Sequence, residues 1–233
     1  MIVWAGKSSD ELNLTVETYP DRPRPAKKYS VVSVPGRNGD LHIDTGAYAN
    51  YTQFYDIGIR GRERGLPQAA RAVAQWLYAP TGYSRLEDSY EPDVFRLAYY
   101  AGPQDIENIL NGLGRATIEF SCKPQRFLKD GETPVSVPSG TTLYNPTAFN
   151  ALPIIHISGN GAGRLQVGEY VVEIFSLDGN ITLDCDLQNA YYGATNLNNT
   201  ISAPEFPKLV AGNNEISFTG DWTVEIIPRW WML

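Results

Sequence analysis

The side chains able to do chemistry are few and scattered. The chain holds two histidines, His42 and His156, far apart in sequence. A metal centre needs His, Cys or carboxylate ligands clustered at short spacing, and neither histidine has such neighbours, so each reads as a strand residue. Asp184-Cys185-Asp186 puts two carboxylates on one strand face. It lacks the glycine turn and bidentate Glu of a calcium loop and reads as a solvated strand face. Glu87, Asp88, Glu91 and Asp93 gather four carboxylates within seven positions. Paired acids hydrolyse glycosides only at a set separation across a cleft, and beside Pro92 these read as a solvated loop. Gly159-Asn160-Gly161-Ala162-Gly163 follows an apolar run, but a dinucleotide fingerprint must open a helix whose N-terminus holds the pyrophosphate. Here Arg164-Leu165-Gln166-Val167 continues as strand, so a hairpin turn is expected. Neither a nucleophile elbow nor a phosphate-binding loop occurs. Cys122 and Cys185 sit in alternating apolar runs and read as buried small hydrophobes rather than a disulfide. The expectation is a chain that is not an enzyme, with no catalytic, metal or cofactor-binding residues and no cofactor.

What the elements position must therefore be a surface. At 233 residues the chain allows one large domain or two small ones. Its hydrophobic fraction of 42% excludes intrinsic disorder and a disulfide scaffold. The net charge of −7 is unevenly placed. Residues 1–130 carry 16 basic and 16 acidic side chains, whereas residues 131–233 carry Arg164, Lys208 and Arg229 against 10 acids. An acidic, lysine-poor half does not grip phosphates, which argues against specific nucleic-acid binding. No window approaches the roughly 20 apolar residues of a membrane span, and Met1-Ile2-Val3-Trp4 lacks a signal-peptide pattern. A cytoplasmically made chain with no membrane segment is expected.

Period-two alternation recurs along most of the sequence, the mark of half-buried strands. It is clear at 12–19, 117–122, 170–175 and 181–187. Asp178-Gly179-Asn180 and Gly220-Asp221 separate such runs and predict hairpin turns. Pro67 to Ala79 predicts a helix, with Pro in its first turn, Pro80 after it and Ala69, Val73, Trp76 and Leu77 on one face. Asp105 to Asn111 predicts a short second helix facing Ile106, Ile109 and Leu110 inward, with Gly112 ending it. A turn-rich stretch from Asp130 to Gly140 coincides with the change in charge. The fold class expected is mainly β in two domains, 1–132 and 133–233. Aromatics also crowd positions that are not obviously core: Tyr48, Tyr51, Phe54 and Tyr55; Tyr99 and Tyr100; Tyr191 and Tyr192; Trp230 and Trp231. Tyr and Trp are favoured where a partner covers a surface.

Several of these segments, in their order and spacing, resemble the distal tail protein (Dit) family of siphophages. They are Val32 to Leu41 with its Pro35-Gly36-Arg37-Asn38-Gly39, Tyr48-Ala49-Asn50-Tyr51, the helix with Trp76-Leu77, Gly82 to Leu86, Tyr90 to Arg96, and Gly114 to Pro124. In the second half Asn145-Pro146-Thr147, the run from Pro153 and Leu209 to Ile216 are similar to the family's galectin-like domain.

The resemblance implies an N-terminal β-sandwich or split barrel with one helix and a hairpin arm, 1–132, and a C-terminal galectin-like β-sandwich, 133–233. It implies a homohexameric ring at the tip of a long non-contractile tail, joining the tail tube to the tail hub or tail-associated lysin around a channel that passes DNA without binding it specifically. Receptor-binding proteins are further partners it admits. The place implied is the virion tail tip, after assembly in the host cytoplasm. Pro35 pre-sets φ and Gly36 and Gly39 permit positive φ, so residues 37–55 are expected to form an arm packing on the next subunit through Gly36, Arg37, Asn38, Gly39, Tyr48 and Tyr51, the alternative being an ordinary internal hairpin. The galectin sugar-contact pattern is broken, since Trp222-Thr223-Val224-Glu225 keeps Trp and Glu but loses Arg, so no sugar site is expected there. The competing reading is a carbohydrate-binding β-sandwich using Trp222, Trp230 or Trp231 as a stacking platform.

Overall fold

In a computed structural model the chain is described at residues 1–60 and 65–233. It is mainly β and divides into two units, residues 1–126 with Leu233, and residues 127–232.

The elements of the first unit are β1 (Ile2–Trp4), β2 (Lys7–Ser8), β3 (Leu14–Val16), β4 (Lys27–Val32), β5 (Leu41–Tyr48), β6 (Tyr51–Ile59), α1 (Leu66–Tyr78), β7 (Ser84–Asp88), β8 (Val94–Tyr100), α2 (Ile106–Leu113) and β9 (Arg115–Leu128). Seven strands form a sheet in the order β2-β1-β7-β8-β9-β6-β3, and β4 and β5 form a separate two-stranded sheet. Alternation sets which face is covered. On β6, Tyr51, Gln53, Tyr55 and Ile57 point inward, and on β9 so do Ile118, Phe120 and Cys122. α1 closes this face with Ala70, Val73, Trp76 and Leu77, and α2 with Ile106 and Leu110. The Trp76 indole also donates to the Trp4 carbonyl at 3.3 Å.

Among the described residues there are thus two α-helices, where the resemblance implied one. Ala70 rather than Ala69 is the buried alanine of α1, since Ala70, Val73 and Leu77 follow one another at i, i+3 and i+7 on the covered face. Gly114, at φ 68°, ends α2 in place of Gly112, its N–H closing on Leu110 O at 2.8 Å.

The second unit holds β10 (Val135–Ser136), β11 (Thr141–Asn145), β12 (Ile154–Val167), β13 (Tyr170–Asp184), β14 (Asn189–Tyr192), β15 (Thr195–Asn196), β16 (Ile201–Ser202), β17 (Gly212–Ile227) and β18 (Trp231–Met232). The main-chain order is β10-β17-β12-β13-β14-β15. Three predicted turns are not turns. Gly159–Gly163 lies inside β12, Asp178–Asn180 inside β13, and Gly220-Asp221 inside β17. They sit side by side, with Gly159 paired to Gly179 on one flank and to Trp222 on the other. A glycine line therefore crosses three long strands, and the sheet folds over along it. Register irregularities between Gly161 and Gly163, and between Asn160 and Arg164, mark the bend. Beyond it, β11 and β16 flank one half as β10 and β14 flank the other. Ile155, Ile157, Ile181, Leu183, Val224 and Ile226 from one half share a core with Leu165, Val167, Val172, Ile174 and Ile216 from the other.

Glycine is required at the bend because Trp222 fills it. A Cβ on Gly163 would lie 2.1 Å from the Thr219 carbonyl oxygen and 2.5 Å from the Trp222 ring, and one on Gly159 2.3 Å from the Asp221 carbonyl oxygen. Trp222 is 7% exposed and Trp230 5%, so neither can serve as a sugar-stacking platform. Trp231 is stacked on Phe149 at 4.4 Å between ring centroids.

Candidate functional site

The β4–β5 hairpin is a two-stranded sheet separate from the main sheet of its unit, and its apolar residues are absent from that unit's core. Every residue from Lys27 to Ala47 is exposed. Val34-Pro35-Gly36-Arg37 makes its first turn, with the Arg37 N–H on Val34 O at 3.1 Å and Gly36 at φ 81°, the pattern of a type II turn. Gly39 follows at φ 80°. Directly paired residues share a face. Ser30 with Ile43 and Val32 with Leu41 therefore line one face, and Tyr29 with Asp44 and Val31 with His42 the other. Ile43 is 47% and Val31 54% exposed, so both faces carry open apolar side chains. An isolated two-stranded hairpin is marginal in water. This one is held at its base by the Lys27–Asp44 ion pair, by Thr45 Oγ1 donating to Lys28 O at 2.8 Å, and by Gly46 N–H on Asp44 at 2.9 Å. Those bonds hold the Asp44 carboxyl below its ordinary pKa, the Lys27 contact first.

The structure sorts the residues expected at a subunit contact. Gly36, Arg37, Asn38 and Gly39 lie together at the exposed tip, and Tyr48 is half-buried at the base. Tyr51 is elsewhere. It opens β6, is 7% exposed, and its hydroxyl accepts from Arg96 Nε at 3.2 Å. The exposed hairpin spans residues 27–48, and of the stretch 37–55 the part from Tyr51 onward belongs to β6, whose alternation turns it into the core.

The first unit also holds a buried ionic cluster that the sequence did not announce. Asp88 and Glu91, read as solvated, are side chains at 2% and 12% exposure. Asp88 Oδ1 accepts from the N–H groups of Tyr90 and Glu91, each at 2.9 Å, and Oδ2 from Tyr55 OH at 2.7 Å and Arg96 Nη1 at 3.1 Å. Glu91 accepts from Arg96 and, at 3.0 Å, from Arg126 Nη1. Burial opposes the Arg96 charge, but Tyr55, Tyr51, Asp88 and Glu91 outweigh it and raise its pKa. Burial pushes the Tyr55 hydroxyl well above its ordinary value. Carboxylates saturated by arginines in this way hold structure.

Asp184 is likewise no solvated strand residue. It is 4% exposed, caps the turn after β13 through the N–H groups of Asp186 and Leu187 at 3.1 and 3.2 Å, and holds Arg229 bidentately at 2.9 and 3.1 Å. His156 meets Thr182 Oγ1 at 2.9 Å. Cys122 and Cys185 are free and buried, and burial pushes both thiols up to about 12. Among the described residues no group of three or more His, Cys, Asp or Glu is placed to hold a metal, and no helix is long and apolar enough to cross a membrane.

Residues 9–122 match the family described as the phage tail protein RIFT-related domain. In solved structures the chain is similar over its whole length to the crystal structure of Dit (gp 19.1) of SPP1, described as a paradigm of the hub adsorption apparatus in phages infecting Gram-positive hosts. That likeness has a TM-score of 0.76 at 13% identity and covers 100% of this chain and 98% of the other. At that identity the likeness is one of fold. Together these matches bear out the resemblance to siphophage distal tail proteins. No curated protein sequence matches the chain.

Proposed function

We propose that this protein is a non-catalytic structural part of a long non-contractile tail tip, a homohexameric ring joining the tail tube to the tail hub or tail-associated lysin around a DNA channel. The first unit forms the ring and the second, as a galectin-like scaffold, offers a place for receptor-binding proteins. The ring is assembled in the host cytoplasm and resides in the virion. The observation that carries this reading is the hairpin Lys27–Tyr48, whose Val31, Val32, Leu41 and Ile43 lie open to solvent. A hairpin on one protomer and a different patch on the next make a heterologous contact, which closes into a ring when the rotation per subunit fits. Size-exclusion chromatography with light scattering tests it. A species near six times 25.8 kDa is expected. A monomer at every concentration, alone and with the hub protein added, overturns it.

A further inference from the structure

The ten residues from Glu17 to Ala26 that lead into the hairpin belong to no strand or helix. They run from the bond of Glu17 N–H to Asp56 O, at 2.8 Å, to that of Ala49 N–H on Ala26 O, also 2.8 Å. Pro20, Pro23 and Pro25 have no N–H to give, so this strap cannot join a ladder. Pro20 is buried and Pro23 and Pro25 half-buried. Side chains reaching across do the rest. Gln53 Nε2 donates to Asp21 O at 2.9 Å, and Arg126 Nη2 lies 3.5 Å from Pro23 O. Arg22 Nη2 donates to Tyr90 O at 3.1 Å and its Nε stands 3.8 Å from Glu91 Oε1. The Tyr19 and Tyr90 rings meet edge to face at 4.9 Å, and Arg24 donates to the Leu233 carbonyl.

Glu91 is where these tethers converge. It faces Arg22 from the strap, Arg96 from β8 and Arg126 from β9. We propose that Glu91, with Arg22, is the latch that sets the direction in which the hairpin leaves the sheet, so that the strap can be released while the sheet stays folded. Glu91 is a positioning residue: it acts on the hairpin through Arg22 and Arg126. A hairpin held in one direction loses less conformational freedom when it docks, and that is the gain a latch gives to assembly. The proposal deepens the ring reading and rests on it for its use, but the latch itself is a property of the single protomer.

The test uses Arg22→Gln and Glu91→Gln in the full chain, each with Ser33→Cys at the exposed hairpin tip carrying a fluorescent label. The two native thiols are buried and pushed to about 12, so the label goes to the tip. At concentrations where light scattering finds monomer, the Ala49 amide is expected to exchange at least about tenfold faster in both variants, and the label's anisotropy to fall. The β9 amides of Ile118 and Phe120 are expected to change by less than about twofold. Should Glu91→Gln unfold the unit, Arg22→Gln decides alone, since its side chain is 47% exposed. Ala49 exchange unchanged in Arg22→Gln, or rising only in step with Ile118 and Phe120, overturns the latch. A wild type that never forms a ring overturns the assembly reading and leaves the latch result standing.

Discussion

The β12–β13 pair of the second unit and the β4–β5 hairpin of the first are written in the same alternating code, yet only the former buries its apolar side chains. In β12 and β13 the strands are 14 and 15 residues long, and glycines midway let the sheet fold onto itself, so Ile155 and Ile157 come to share a core with Leu165 and Val167. β4 and β5 have 6 and 8 residues. They are too short to bend back on themselves, and they form a sheet of their own apart from the main sheet. Among the described residues, Val31, Val32, Leu41 and Ile43 stay 36% to 54% exposed. One pair supplies its own cover and the other, in the assembly proposed here, is covered by the next protomer.

The comparison breaks most readily at the bend. Gly163→Val forces a side chain into Trp222 and the Thr219 carbonyl, and should cost about 3 kcal/mol or more. Urea unfolding followed by intrinsic tryptophan fluorescence checks this; a loss below about 1 kcal/mol means the fold line can open to admit a side chain.

The next largest effect is at Asp184. Burial pushes its carboxyl up, but Arg229 and the N–H groups of Leu187 and Asp186 outweigh that and lower its pKa. A pKa lower folded than unfolded means stability that is fully present above the unfolded value, about 3.9, and lost as pH falls through the folded value. Asp184→Asn should lower stability by about 2 kcal/mol at pH 7. That gap should close progressively below about pH 4; urea midpoints of both proteins along a pH series read it directly. A gap that stays constant down to pH 2 would show the loss to be steric.

Val32→Ser with Ile43→Ser should change monomer unfolding by less than about 0.5 kcal/mol, as exposed sites do, while abolishing the sixfold mass. Loss of the ring together with a large loss of monomer stability would place these side chains in their own protomer's core. The smallest expected effect is at the thiols. Cys122 and Cys185, pushed to about 12, should not react with a thiol reagent at pH 8 until the protein is unfolded. Rapid reaction of either would mean that its core opens.

The strands and both helices were legible because alternation and 3.6-residue periodicity survive in the sequence, as at 117–122 and 67–79. The bends were read as turns for a definite reason. Asp-Gly signals positive φ, and Gly179 does take φ 87°, but positive φ at one residue bends a strand as readily as it reverses a chain. What decides is whether the neighbours bend at the same level, and the pairing of Gly159 with Gly179 is invisible locally. The Asp88–Glu91–Arg96–Arg126 cluster was hidden in the same way, since Arg126 lies 35 residues beyond Glu91. Arg96, five residues after Glu91 on an apolar strand, was the one local hint. The tip of the hairpin was legible from Pro35-Gly36, whereas Tyr51 was misplaced because aromatic crowding does not say which parity faces the core.

The fold line also decides where this chain tolerates added sequence. To an engineer placing an epitope or a fused reporter, Asp178-Gly179-Asn180 reads as an ideal loop. It is the middle of a strand, and one inserted residue there would invert every side chain of β13 beyond it relative to β12 and β14. The real turn of that pair is at Gly168-Glu169, where Val167 and Tyr170 close the ladder and Gly168 takes φ 57°. An insertion there leaves all three bent strands in register.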